Sequence, residues 1–122
     1  VSLPKPVNIE INAERDPEHD EGVDAEIRNY INLLRKSGCT DIVCSGPQPV
    51  SLGNLPGTRY RIHLIGPDGM AGDVIWIDGK RTSQKQNDHV VTVSITLGGS
   101  SSDVAEYESE LDSVVRSFEW LD

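Results

Sequence analysis

The chain has no apolar run approaching the length of a membrane span, so no spanning helix is predicted. Basic residues are few. Eleven Lys and Arg face 20 Asp and Glu, a formal net charge of −9. A field of that sign opposes nucleic acid and anionic membranes, and it is compatible with a basic partner. Only two cysteines occur, Cys39 and Cys44. If the residues between them are extended, their ends lie about 15 Å apart, beyond disulfide reach. Free, packed thiols are therefore expected, and no Cys/His spacing suits a structural metal. Repeats, linkers and low-complexity segments are missing too. At 122 residues the chain reads as one domain over 1–122, with length enough for a single core.

Catalytic strings are lacking as well. There is no G-x-S-x-G elbow, since Cys44-Ser45-Gly46-Pro47 lacks the first glycine. The three histidines, His19, His63 and His89, are scattered. No nucleophile with a base at hand is legible, so no catalytic residue, cofactor or metal is assigned and the chain reads as a non-enzyme. Gly98-Gly99-Ser100-Ser101-Ser102 precedes a helix but carries no Lys, and Asp103 and Glu106 follow it. Helix capping accounts for it better than phosphate binding.

What is present is pattern. Val91, Val93, Ile95 and Leu97 alternate with Thr92, Ser94 and Thr96, as in a strand buried on one face. Gly98-Gly99 is expected to end that strand. Asp103, with Glu106 three residues on, is the expected N-cap of a long closing helix. Val104, Tyr107, Leu111, Val114, Val115 and Phe118 keep one apolar stripe at helical period. A helix so one-sided must lie on a sheet.

The other elements follow the same logic. Val7, Ile9, Ile11 and Ala13 predict a first strand. Asp24 opens a helix whose stripe is Ile27, Tyr30, Ile31 and Leu34, with Leu33 on its margin and Gly38 at its end. Asp41 to Ser45 is a short strand, and Gly46 to Gly57 reads mostly as a shaped connection, with a brief pairing of Val50 and Leu52 to a neighbour. Thr58 to Ile65 is a strand with Tyr60, Ile62 and Leu64 on one face and Arg59, Arg61 and His63 on the other. Asp73 to Asp78 is a central strand, Asp78-Gly79 a hairpin turn, and Lys80 to Gln86 a polar strand near an edge. The sum is α+β: a central antiparallel sheet of about five to six strands, with an N-terminal and a long C-terminal helix packed on it.

Two charged features are candidates for function. The loop carrying Glu14, Asp16, Glu18, His19, Asp20, Glu21, Asp24 and Glu26 resembles a calcium loop in part. Glu21 stands where glycine is needed and Ile27 where the twelfth-position Glu belongs, so a solvated acidic loop is the reading, with adventitious cation binding the alternative. Arg59, Arg61 and His63, with Lys80, Arg81 and Lys85 on the following hairpin, form a basic island in an acidic chain. They either bridge to the acidic helix faces or form an anion- or protein-docking patch, with Trp76 as a cation–π neighbour.

The segment from Pro49 to Trp120 resembles the PsbP-like superfamily, which includes the DcrB-type and LpqN-type bacterial proteins. The resemblance rests on Val50-Ser51-Leu52-Gly53 leading to Thr58-Arg59-Tyr60-Arg61, on the strand Val90 to Leu97, and on the tail Leu111 to Phe118. It implies an α/β/α sandwich and a binding or assembly role, often in exported proteins. The chain departs from the family in having only Val7 to Ala13 before its first helix, where members often have an extra hairpin. No family site motif carries over residue by residue. The expected function is a non-enzymatic module docking a protein partner. A secretion or assembly chaperone and a helix-grip carrier of a small ligand are the alternatives. A monomer or homodimer is expected, with no nucleic acid, from an exported chain trimmed or processed before Val1.

Overall fold

A computed structural model describes residues 8–14, 23–53, 55–83 and 89–117. In chain order they form β1 (Asn8–Glu14), α1 (Val23–Lys36), β2 (Thr40–Leu52), β3 (Leu55–Ile65), β4 (Ala71–Ser83), β5 (His89–Ser100) and α2 (Ser101–Ser117). The class is α+β, as the patterning predicts. One antiparallel sheet has the order β1-β5-β4-β3-β2. Four consecutive strands form a meander, and β1 joins it at the free side of β5.

Strand alternation divides the side chains between two apolar layers. On one face Tyr60, Ile62, Leu64 and Val74 meet Ile27, Tyr30, Ile31 and Leu34 of α1. On the other, Ile75, Ile77, Val93, Ile95 and Leu97 meet Val104, Leu111 and Val115 of α2, with Leu52 at the margin. Each helix thus covers one face of the sheet. The α1 stripe follows the i, i+3, i+4, i+7 rule, and Leu33, one step off it, is 60 % exposed. Phe118 lies outside the described residues.

Helix ends obey local chemistry. The Cys39 N–H donates to Leu34 O at 3.0 Å and the Gly38 N–H to Arg35 O at 3.1 Å, with Gly38 at φ 95°. This is a Schellman stop, sealed by the packing of Cys39 and Leu34 in the same apolar cluster. At the start of α2 the cap is Ser100, not Asp103: its Oγ accepts the Asp103 N–H at 3.3 Å. Asp103 becomes the third helical residue, where its charge still complements the dipole.

Three expectations about strand ends are corrected in one direction, toward longer strands. The Gly46–Gly57 segment pairs at Val50 and Leu52 as expected, but it is strand for most of its length rather than mostly a connection. β2 runs on to Leu52 and pairs with β3 as far as Leu52↔Leu55. Pro47 and Pro49 are tolerated because β2 pairs on one side only, and register shifts at Thr40/Val43 and Ser45/Gln48 absorb the misfit. Asp78-Gly79 is not a turn. β4 continues to Ser83, with Gly79 paired to both Gly57 and Val93. Lys80 to Ser83 is therefore the far end of β4 rather than a separate strand, and 84–88 lie outside the described residues. Nor does Gly98-Gly99 end β5, which reaches Ser100 while pairing Gly98 with Val74.

Glycine is demanded where backbones crowd. Gly46 has φ 115°, and a Cβ there would stand 2.6 Å from Arg59 O. Gly46→Ala is expected to cost about 2 kcal/mol, read as a lower urea midpoint at unchanged slope. A variant within about 0.5 kcal/mol of the parent would contradict this backbone. Cys39 and Cys44 are free thiols. Cys39 packs under α1, but Cys44 is exposed, against expectation, because neither helix covers the middle of the edge strand β2.

Candidate functional site

The α2-covered face is not apolar throughout. On β3 the positions opposite Tyr60, Ile62 and Leu64 are Arg59, Arg61 and His63, which alternation turns toward α2. On β4 the residue in register with His63 is Asp73, two positions before Ile75 and on the same face. On α2, Ser101, Glu108 and Asp112 recur along one flank of the Val104–Leu111–Val115 stripe. The three elements bring these seven side chains into one network.

Asp73 is its centre, with a side chain only 7 % exposed. Its Oδ2 accepts from Arg61 Nη2 at 2.8 Å and Nε at 3.2 Å. Its Oδ1 accepts from Ser101 Oγ at 3.1 Å and lies 2.6 Å from His63 Nδ1. Burial pushes the Asp73 carboxyl up, but the hydrogen bonds from His63, Arg61 and Ser101, with the charge of Arg61, outweigh it. The net result is a carboxyl held below its usual range. The Asp73 hydrogen bond in turn raises Arg61, against desolvation, with the charges of Asp73 and Glu108 adding to the rise.

Outward from Asp73, the arginines converge on a single oxygen. Glu108 Oε1 accepts from Arg61 Nη1 at 2.7 Å and from Arg59 Nη2 at 3.0 Å. Arg59 Nη1 also reaches Asp112 Oδ1 at 3.1 Å. Both guanidiniums are thereby held in place from two sides, and β3 is tied to α2 by charge-assisted bonds. Beside them opens a cleft of about 450 Å³. Its walls are Ser45, Gln48, Pro49 and Val50 of β2 and Glu108 of α2, and its floor is Arg59 and Arg61. The register shift at Ser45/Gln48 shapes the β2 wall.

Of the basic residues singled out from the sequence, Arg59, Arg61 and His63 come together here. Lys80 and Arg81 lie on β4, in register with Thr92 and Val91, and their side chains fall outside the description, as does Lys85 entirely. The acidic loop, apart from Glu14, Asp24 and Glu26, lies outside the described residues too, with His19. His89 is the first residue of β5. Trp76 is not a neighbour of Arg59 and Arg61. It faces α1, edge-on to Tyr30 with ring centroids 5.7 Å apart, because an even-numbered β4 position must point away from them. Arg59 and Arg61 bridge to the acidic face of α2, one of the two readings of the basic island, through Glu108 and Asp112; sequence reasoning missed Asp73 and Ser101 as partners. Asp73 shares parity with Ile75 and Ile77, which was a readable sign that it faces a covered layer.

Asp73 stands between His63 and Ser101, whereas a nucleophile needs the base between it and the acid. Among the described residues no three His, Cys, Asp or Glu side chains are grouped to hold a metal. Among them, too, no helix is long and apolar enough to cross a membrane. No family model matches the chain. Comparison with the curated proteins finds no match.

Proposed function

We propose that this chain is a non-enzymatic binding module, a PsbP-like α/β/α sandwich, that docks a protein partner in the cleft between the β2 edge and α2. One observation carries the reading. The cleft opens at the edge of the sheet, and its floor consists of two arginines whose positions are set by three carboxylates. Preorganised polar groups in a concave site favour binding because little side-chain freedom is left to lose. The β2 wall also departs from regular pairing where it borders the cleft, as strands often do beside a site. The carrier alternative draws less support. Val104 and Leu111 lie fully buried against the sheet, which leaves no ligand-sized space beneath the middle of α2.

The test compares the parent with Gln48→Trp, which fills the cleft and changes no charge. A partner retained by the parent domain and lost by Gln48→Trp is the expected result. Equal retention by both would remove the cleft from the reading. Retention of nothing by either would end the docking reading itself.

A further inference from the structure

We infer that the cleft takes an acidic side chain, glutamate or aspartate, from the protein partner, and that Glu108 occupies its place in the free domain. This rests on the docking reading above and gives it a chemistry. The first argument is charge. Arg59, Arg61 and Glu108 are the charged groups lining the cleft, two cations to one anion. Asp73 is buried beneath them, Asp112 stands outside the walls, and His63 is set on Asp73. A lysine or arginine would meet two guanidiniums there. The second argument is the supply of donors. A guanidinium carries five N–H groups. Arg59 gives one to Glu108 and one to Asp112, and Arg61 gives two to Asp73 and one to Glu108. Among the described residues the remaining N–H groups have no acceptor. Ser45 and Gln48 pair in register with Arg61 and Arg59, so a hydroxyl and an amide stand on the same face and complete the donor set.

The third argument is geometry. Glu108 Oε1 accepts from Arg61 Nη1 at 2.7 Å and from Arg59 Nη2 at 3.0 Å, so one carboxylate oxygen is held by both guanidiniums. An incoming carboxylate takes over that double contact. Glu108 gives it up at little cost, since its side chain is already 34 % exposed and passes into water. Asp73 and Asp112 keep the two arginines in place during the exchange. Pro49 and Val50 offer an apolar wall to the methylenes of the entering side chain. The chain's net charge of −9 opposes an acidic segment at long range. Physiological salt screens that field beyond about 8 Å, whereas the guanidiniums act at contact.

The probe is a blocked, fluorescently labelled peptide of alternating glutamate and threonine, with glutamine-for-glutamate and lysine-for-glutamate versions as controls. Anisotropy titrations at physiological salt are expected to show saturable binding of the glutamate peptide only. Glu108→Gln removes the resident carboxylate and should tighten that binding by about tenfold. Arg59→Gln should weaken it by about tenfold, and Gln48→Trp, which alters no charge, at least as much. Thermal melts confirm that the variants are folded, and Gln48→Trp keeps the test open should Arg59→Gln unfold. Four results overturn the inference: equal or tighter binding of a control peptide, no binding of the glutamate peptide by either the parent or Glu108→Gln, a Glu108→Gln protein that binds it no more tightly than the parent, or binding indifferent to Gln48→Trp. If the glutamate peptide fails while Gln48→Trp still abolishes partner retention, the docking reading stands and only the acidic chemistry falls.

Discussion

Leu111→Ala is expected to lower the unfolding free energy by about 3 kcal/mol, within the range seen for leucine truncations in closed cores. Leu111 is 0 % exposed and belongs to the cluster that joins α2 to β4 and β5 through Ile75, Ile77, Ile95 and Leu97. Truncation removes the transfer free energy of the lost carbons and leaves a cavity. The neighbours cannot close it, because Ile75, Ile95 and Leu97 are held in the sheet by pairing on both sides. In a domain of this size the melting temperature should fall by roughly 10 °C. Leu33→Ala, at an exposed position on α1, is the control and should change stability by less than about 0.5 kcal/mol. Urea unfolding of the two variants checks both numbers. A Leu111→Ala protein as stable as its parent would mean that α2 does not lie on this sheet.

The second large effect belongs to Asp73→Asn. The substitution keeps the size of the side chain but removes the charge that draws Arg61, His63 and Ser101 together. Asn also brings its own N–H donors to a position where every partner atom described donates. Hydrogen bonds to charged groups contribute about 1.5–3 kcal/mol each, and part of this is screened because Arg61 is more than a third exposed. A net loss of about 2 kcal/mol at neutral pH is expected. The pH dependence has a definite sign. A carboxyl whose folded pKa lies below its unfolded value contributes stability that is fully present above the unfolded value, about 4, and is lost as pH falls through the folded one. The parent should therefore lose stability on acidification below about pH 4, and the Asn variant should lose less over the same interval. Parallel acid profiles for the two proteins would show that Asp73 is not the linked group.

Alternation and helical period were readable wherever a segment buries one face. The Tyr60–Ile62–Leu64 and Arg59–Arg61–His63 division on β3 emerged correctly, as did both helix stripes, since each depends only on residue spacing and apolarity. Strand ends were misjudged at Gly46, Asp78-Gly79 and Gly98-Gly99 for a common reason. Glycine is a local turn signal, but at Gly57 a Cβ would come within 2.7 Å of Asp78 O, and that crowding exists only when β3 and β4 are already paired. The cation–π idea for Trp76 failed at Arg59 and Arg61 for a related reason: parity divides β4 into two faces, but only its register with β3, which sets Trp76 beside Tyr60 and Ile77 beside Arg59, says which face the arginines share.

By itself, the order of residues determined the class of the domain, the two amphipathic helices and the side of β3 on which its cations stand. These properties follow from periods of 2.0 and 3.6, which a chain carries before it folds. Only the tertiary structure decided that α1 and α2 take opposite faces, that Asp73 sits beneath Arg61 and His63, and that Glu108 and Asp112 engage the arginines beside a cleft. Those contacts join positions up to 53 residues apart. No local spacing encodes such pairings, because they depend on which strands become neighbours and on how far along the sheet each helix comes to rest.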